Sequence, residues 1–164
     1  GYLINAQYDS RSKYFFSASF RRDGSSRFAP GTRWGNFWSL GASWRIDREA
    51  FMQNTADWLS ALTLKASYGA QGNDNLGTYY ASSGLYSIVS QAGENALVSD
   101  RLATPDLKWE TNLTLNVGID FSLFDNRFSG SFDFFQRRSK DLLYSRPFAS
   151  SLGYTSIDEN LGAL

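Results

Sequence analysis

Trp109-Glu110-Thr111-Asn112-Leu113-Thr114-Leu115-Asn116-Val117-Gly118-Ile119-Asp120-Phe121-Ser122-Leu123-Phe124 alternates apolar and polar side chains along its whole length. The odd positions carry Trp109, Leu113, Leu115, Val117, Ile119, Phe121 and Leu123, with Thr111 as the polar intruder. The even positions carry Glu110, Asn112, Thr114, Asn116, Gly118, Asp120 and Ser122, and end on the aromatic Phe124. Successive Cβ atoms of a strand point to opposite sides of the sheet, so this alternation specifies a strand with two unlike faces. A helix would place Asn116 and Asp120 beside Leu113 on one face. Sixteen residues is about three times the length of an ordinary strand.

The same rhythm extends outward. Asp125-Asn126 reads as a two-residue turn, since both residues tolerate turn geometry. Beyond it Phe128, Gly130, Phe132 and Phe134 oppose Arg127, Ser129, Ser131 and Asp133, giving a hairpin. Upstream, the same alternation predicts strands near 2–9, 13–22, 36–46 and 61–70, which with 109–124 and 127–144 makes six. The connections are unequal. Ser10-Arg11-Ser12 and Asp125-Asn126 are short, whereas 23–35, 71–108 and 145–164 are long, and 71–108 keeps no sustained period. The segment 47–60 is also long and carries a helical turn at 47–52 with Asp47 as its N-cap.

Composition narrows the function. The 164 residues hold 16 Lys+Arg and 16 Asp+Glu, so no net charge draws the chain toward nucleic acid. There is no Cys and no His, which excludes disulfides, thiol nucleophiles, imidazole bases and Cys/His metal sites. No run reaches the roughly 18 apolar residues of a membrane helix. Hydrophobic residues are 42% and aromatic residues 16% of the chain, far too apolar for a disordered tail.

Long two-faced strands with short turns at one end and long loops at the other are the mark of an antiparallel transmembrane β-barrel. Ten residues rise about 33 Å, and a tilt near 45° projects this to about 23 Å, the height of an outer-membrane apolar band. Lipid cannot satisfy backbone polar groups, so only a closed sheet crosses. Glu110, Asp120, Asp133, Lys65, Arg45, Arg21 and Arg127 then face a water-filled or plugged interior. Tyr14, Phe20, Trp38, Trp44, Phe121, Phe128 and Phe134 supply interfacial girdles, or simply reflect the preference of aromatics for strands. Placing the tight turns in the periplasm makes 23–35, 71–108 and 145–164 outer loops and 47–60 a periplasmic excursion. Arg22, Arg138 and Lys140 lie on the outward side near the outer strand ends, where they reach lipopolysaccharide phosphates or simply stay solvated. The alternative reading is a soluble β-sandwich that binds carbohydrate, which calls for shorter strands and two facing apolar sheets.

Several stretches resemble the SusC/RagA family of TonB-dependent outer-membrane transporters. They are Arg22-Asp23-Gly24-Ser25-Ser26-Arg27-Phe28, then Trp34-Gly35, then Phe37 to Trp44 and Glu49-Ala50-Phe51-Met52. Further on come Leu64 to Asn73, Leu107-Lys108-Trp109-Glu110, Phe132-Asp133-Phe134-Phe135 and Lys140-Asp141-Leu142-Leu143. The resemblance runs from about Tyr14 to the C-terminus. It implies a barrel of about 22 strands, an N-terminal plug, energisation by TonB and a SusD-like surface lipoprotein as partner. The implied cargo is an oligosaccharide or a peptide. No signal peptide, TonB box or plug sequence is seen, and the chain stops at Gly162-Ala163-Leu164 where another strand would begin. The expectation is therefore a fragment, about six strands of the larger barrel and no enzyme.

Chemistry is sparse. Ser10-Arg11-Ser12-Lys13 has S-x-x-K spacing without the accompanying motifs of serine acyl-transfer enzymes. Asn112-Leu113-Thr114 is a glycosylation sequon in mid-strand. Asn73-Asp74-Asn75 offers oxygens to Ca²⁺ without the rest of a binding loop, and turn-forming is the simpler reading, so no metal or other cofactor is expected. Asp158-Glu159 offers a carboxylate pair, but adjacent residues in a loop are more simply read as a solvated face. The candidates for substrate binding are Tyr79, Tyr80 and Tyr86 with Asn73 and Asp74, because aromatic platforms beside amides and carboxylates recognise sugars and peptides. Packing of the loop against its neighbours or against the lipoprotein is the competing explanation.

Overall fold

The structure, a computed structural model, describes residues 1–91, 93–149, 151, 153–154 and 156–163. Its strands are β1 (Tyr2–Ser10), β2 (Tyr14–Gly24), β3 (Trp34–Arg45), β4 (Leu59–Asn73), β5 (Leu85–Gln91), β6 (Glu94–Arg101), β7 (Glu110–Leu123), β8 (Phe128–Pro147) and β9 (Ser156–Ala163). Seven form one sheet in the order β1-β2-β3-β4-β7-β8-β9, while β5 and β6 form a separate two-stranded sheet among the described residues. Chain neighbours are sheet neighbours except where the β5–β6 hairpin interrupts between β4 and β7. Among the described residues no helix is long and apolar enough to cross a membrane, which says nothing of strands.

The residues fall into two compact units. One comprises Gly1–Arg21, Asn36–Gln71 and Leu113–Arg138; the other comprises Arg22–Gly35, Gly72–Asn112 and Ser139–Leu164.

In the first unit the pairing of β3 with β4 displays why the alternation matters. Trp38 lies opposite Ala70, Leu40 opposite Tyr68, Ala42 opposite Ala66 and Trp44 opposite Leu64. Between these pairs, Ser39 meets Gly69, Gly41 meets Ser67, Ser43 meets Lys65 and Arg45 meets Thr63. Directly opposed residues share a face, so apolar stacks on apolar and polar on polar. The apolar face is open to the surroundings: Leu40 is 55% exposed and Phe132 75%. A sandwich would bury these side chains under a second sheet. Instead they pair along the face, with ring centroids 5.5 Å apart for Trp38 and Tyr68 and 6.0 Å for Phe121 and Phe128. On the polar face Lys65 Nζ lies 2.8 Å from Asp120 and 3.0 Å from Asp133. Gly118 makes this possible, because a Cβ there would collide with the Asp133 carboxylate and the Lys65 Cε.

The turn between β7 and β8 differs in detail from the two-residue expectation. β7 ends at Leu123 and β8 starts at Phe128, with Phe124, Asp125 and Asn126 all at positive φ (52°, 53° and 65°). Phe124, read as a strand residue, is thus part of the turn. Its N–H donates to Trp58 O (2.8 Å), and Asn126 Oδ1 accepts from Ser122 Oγ (2.7 Å). These bonds offset the cost of left-handed backbone at a residue bearing a bulky side chain.

The excursion 47–60 is also corrected. It holds two short 3₁₀ helices, Ile46–Arg48 and Ala50–Thr55, and neither has a side-chain cap. Asp47 accepts instead from both arms of Arg45 (3.0 and 2.7 Å) and from the Leu62 N–H (3.2 Å). A bidentate guanidinium outcompetes a lone backbone N–H. Burial pushes the Asp47 carboxyl up, but these donors outweigh it and leave the group below the usual aspartate range. Glu49 takes Tyr14 Oη (2.6 Å), Trp44 Nε1 (3.1 Å) and Lys13 Nζ (3.2 Å), so the excursion is clasped to the start of β2 and the end of β3.

Two expected outer loops are not loops throughout. The segment 71–108 contains the antiparallel β5–β6 hairpin, and 145–164 contains β9, antiparallel to a β8 that runs on to Pro147. Another strand therefore already lies where the chain was expected to stop short of one.

Candidate functional site

The second unit gathers the candidate site. Among the described residues its core is Phe28, Ala81 and Leu107, each 1% exposed, with Leu76, Trp109 and Leu143 packed against them. Phe28 and Trp109 meet with ring centroids 5.5 Å apart. The Trp109 indole donates to Arg33 O (2.8 Å), and Thr32 Oγ1 donates to Leu107 O (2.7 Å). Trp109, which the alternation assigned to the outward face, is thus a loop-core residue preceding β7. Burial of its ring against Phe28 overrides the period of the strand it adjoins.

Glu110 is the polar hub. It is buried, and its carboxylate accepts from Asn112 Nδ2 (2.9 Å), Leu143 N–H (3.3 Å) and Asn73 Nδ2 (3.4 Å). Read as an interior charge, it serves as a buried tie. A buried carboxylate with several donors costs far less than one left unpaired.

Asn160 performs a similar service for the backbone. Its side chain accepts from Lys108 N–H (2.9 Å) and donates to Lys108 O (2.9 Å) and Asp141 O (2.7 Å). Lys108 Nζ adds an ion pair to Asp141 (3.0 Å), and Arg146 one to Glu159 (2.9 Å). Asp158 and Glu159, adjacent on β9, point to opposite faces, and Asp158 is buried, so the solvated face read from sequence does not hold for it.

The five proposed binding residues separate into two groups. Asn73 and Asp74 are occupied by the loop itself. Asn73 Oδ1 accepts from Asn75 N–H (3.0 Å), Asp74 Oδ2 from Ser25 Oγ (2.7 Å), and Asp74 O from Arg27 (2.8 Å). Asn75 Oδ1 in turn takes Gly77 N–H (3.4 Å), which turns the chain at a glycine with φ +69°. All three oxygen donors considered for Ca²⁺ therefore hold internal hydrogen bonds. Tyr79, Tyr80 and Tyr86, by contrast, are 67%, 63% and 71% exposed. Arg27 lies over the Tyr79 ring at 4.7 Å, so one side chain joins the Asp74 turn to the tyrosine platform. Arg27 was missed from sequence, being far from Tyr79 along the chain, although it belongs to a stretch that carries the family resemblance.

On the β5–β6 hairpin, Tyr86 and Ile88 are 71% exposed, and Leu97, the partner of Ile88, is 74% exposed. An isolated two-stranded ribbon gains little from its own packing. Such an apolar face gains stability by being covered.

A two-faced antiparallel sheet with an open apolar side, tight turns and a separately cored loop cluster defines the wall of a membrane β-barrel. The family model described as TonB dependent receptor-like, beta-barrel matches residues 2–163. The chain belongs to that family. It is 36% identical over 160 residues to a TonB-dependent receptor of Formosa agariphila, covering 96% of this chain and 16% of that protein. It is 31% identical over 171 residues to the TonB-dependent receptor SusC of Bacteroides thetaiotaomicron, covering 99% of this chain and 17% of the relative. Among solved structures it matches the RagAB peptide importer in the closed-closed state with a TM-score of 0.90 and 30% identity, over 98% of this chain and 18% of that one. The siderophore receptor PirA of Pseudomonas aeruginosa, 16% identical with a TM-score of 0.63, shares the fold. The chain thus spans about a sixth of the length of the curated relatives it matches.

Proposed function

We propose that this chain is wall and outer loops of an outer-membrane, TonB-dependent active transporter of about 22 strands. In this reading the transporter imports oligosaccharides or peptides together with a SusD-like surface lipoprotein. The observation that carries the reading is the family match over residues 2–163. The likeness to SusC and to the RagAB peptide importer supports nutrient import, and the open apolar sheet face supports placement in lipid. The long connections are extracellular, and the excursion 47–60 is periplasmic. Tyr79, Tyr80 and Tyr86, with Asn73 and Asp74 shaping the turn beneath, form a contact surface for cargo. The exposed Tyr86, Ile88 and Leu97 suit cover by the lipoprotein.

The test uses the full-length gene product. It is expected in the outer membrane, with heat-modifiable migration in detergent and cargo uptake that stops when TonB is inactivated. Tyr79→Ala with Tyr80→Ala should weaken cargo binding about tenfold, the loss of two stacking contacts of roughly 0.5–1.5 kcal/mol each. Recovery of a soluble monomer would sink the transporter reading, and unchanged affinity would remove the tyrosines from it.

A further inference from the structure

The apolar face of the first unit is not uniform. Ala6, Ala18, Ala42 and Ala66, one on each of β1 to β4, floor an open groove of about 550 Å³. Tyr8 and Phe16, stacked with centroids 6.5 Å apart, line it together with Leu40 and Tyr68, which are register partners. The groove continues in both directions. Through Phe16, Ala42 and Ala66 it joins a hollow of about 380 Å³ bordered by Tyr14, Trp44 and Leu64, beside the excursion that follows β3. Through Tyr68 and Leu115 it joins one of about 250 Å³ bordered by Leu113, Gln136 and Arg138. Arg138 lies on the half of β8 that leads to the long connection, and no ion pair engages it among the described residues.

A hydrocarbon chain lying on a side-chain-studded sheet touches it along one side. A chain in a trough with an alanine floor and aromatic walls is touched on three, and dispersion contacts add up accordingly. A cationic end to such a trough complements a lipid that carries its negative charge at the head. Guanidinium is the side chain suited to phosphate, since it bonds two oxygens at once.

We propose that this groove is a specific lipid site, occupied by an acyl chain of lipid A with a lipid A phosphate on Arg138. The inference rests on the outer-membrane orientation proposed above, which places Arg138 toward the outer leaflet, where lipid A resides. The chain runs down the alanine floor toward the middle of the bilayer. The lipid is thus a fixed part of the barrel surface, distinct from the exchanging lipids over the remainder of the face.

The test uses the full-length protein purified from outer membranes, exchanged through detergent, with bound lipids extracted and quantified per barrel by mass spectrometry. The wild type is expected to retain lipid A. Ala42→Leu with Ala66→Leu, which fills the floor, should lose it, and Arg138→Gln should lower lipid A affinity about tenfold, the loss of one charge-assisted phosphate contact. Both variants should remain heat-modifiable. A heat-modifiable filled-groove variant that keeps as much lipid A as wild type overturns the site. So does retention of phosphatidylglycerol in place of lipid A, and unchanged affinity in Arg138→Gln overturns the phosphate assignment. A wild-type protein missing from the outer membrane overturns the transporter reading itself, which separates the two failures.

Discussion

Single residues decide more here than a pattern of alternation suggests. Gly118 sits on the polar side of β7, where any Cβ would strike the Asp133 carboxylate and the Lys65 stem. Gly118→Ala should therefore push both side chains aside and cost about 1 kcal/mol, the scale of a partly exposed ion pair with modest strain. Asp133→Ala should cost less when added to that variant than in the wild type. A double-mutant cycle on thermal unfolding of the detergent-solubilised barrel checks this, and strict additivity would refute the crowding argument. Glu49 acts at the other end of the strands. The Tyr14 hydroxyl first, then the Trp44 indole and the Lys13 ammonium, hold its carboxyl below the ordinary glutamate range. A depressed folded value means that the linked stability is fully present above the unfolded value and is lost as pH falls through the folded one. Hydrogen exchange across residues 46–55 should therefore quicken on acidification below the ordinary glutamate range, and Glu49→Gln should remove part of that dependence. The alternation made Gly118 look like a neutral entry on the polar side, and Glu49 entered the reading only within a stretch that carries the family resemblance. Their roles arise from residues 15 and 53 positions away for Gly118, and 35 away for Glu49, which no local period contains.

At the level of elements, legibility followed the faces. Strands between lipid and water must alternate, so the apolar rows through Trp38–Trp44, Leu64–Tyr68 and Leu113–Phe121 stand out in sequence. β5, β6 and β9 lack that obligation. Ser156-Ile157-Asp158-Glu159-Asn160-Leu161 has no apolar row, and its strand is recruited by the open backbone of β8, by Arg146 on Glu159 and by Asn160. The loop core was equally hidden, because Phe28, Ala81 and Leu107 come from three separate connections and meet only in the fold. The stretches that carry the family resemblance nevertheless supply much of it: Arg27-Phe28, Leu107 to Glu110 and Asp141 to Leu143 all contribute contacts. Asn160→Ala should remove three hydrogen bonds of about 1 kcal/mol net each. The expected outcome is faster exchange of the β9 amides with those of β3 and β4 unchanged. Equal acceleration in both places would show that Asn160 does not act locally.

Over the molecule as a whole, the pairing of β3 with β4 has a consequence for assembly. A slip of one residue would carry Lys65 and Thr63 into lipid and turn Ala66 and Tyr68 toward water. The cost of placing a lysine in lipid is about 2–4 kcal/mol at mid-depth, so an odd slip is rejected by the solvent on either side. A two-residue slip of β4 along its other neighbour, β7, keeps both solvents satisfied but draws Lys65 away from Asp120 and Asp133. The sheet in this way carries its own parity check. The bilayer detects odd errors, the triad over Gly118 detects even ones, and a machine that inserts the strands need not read the sequence to align them.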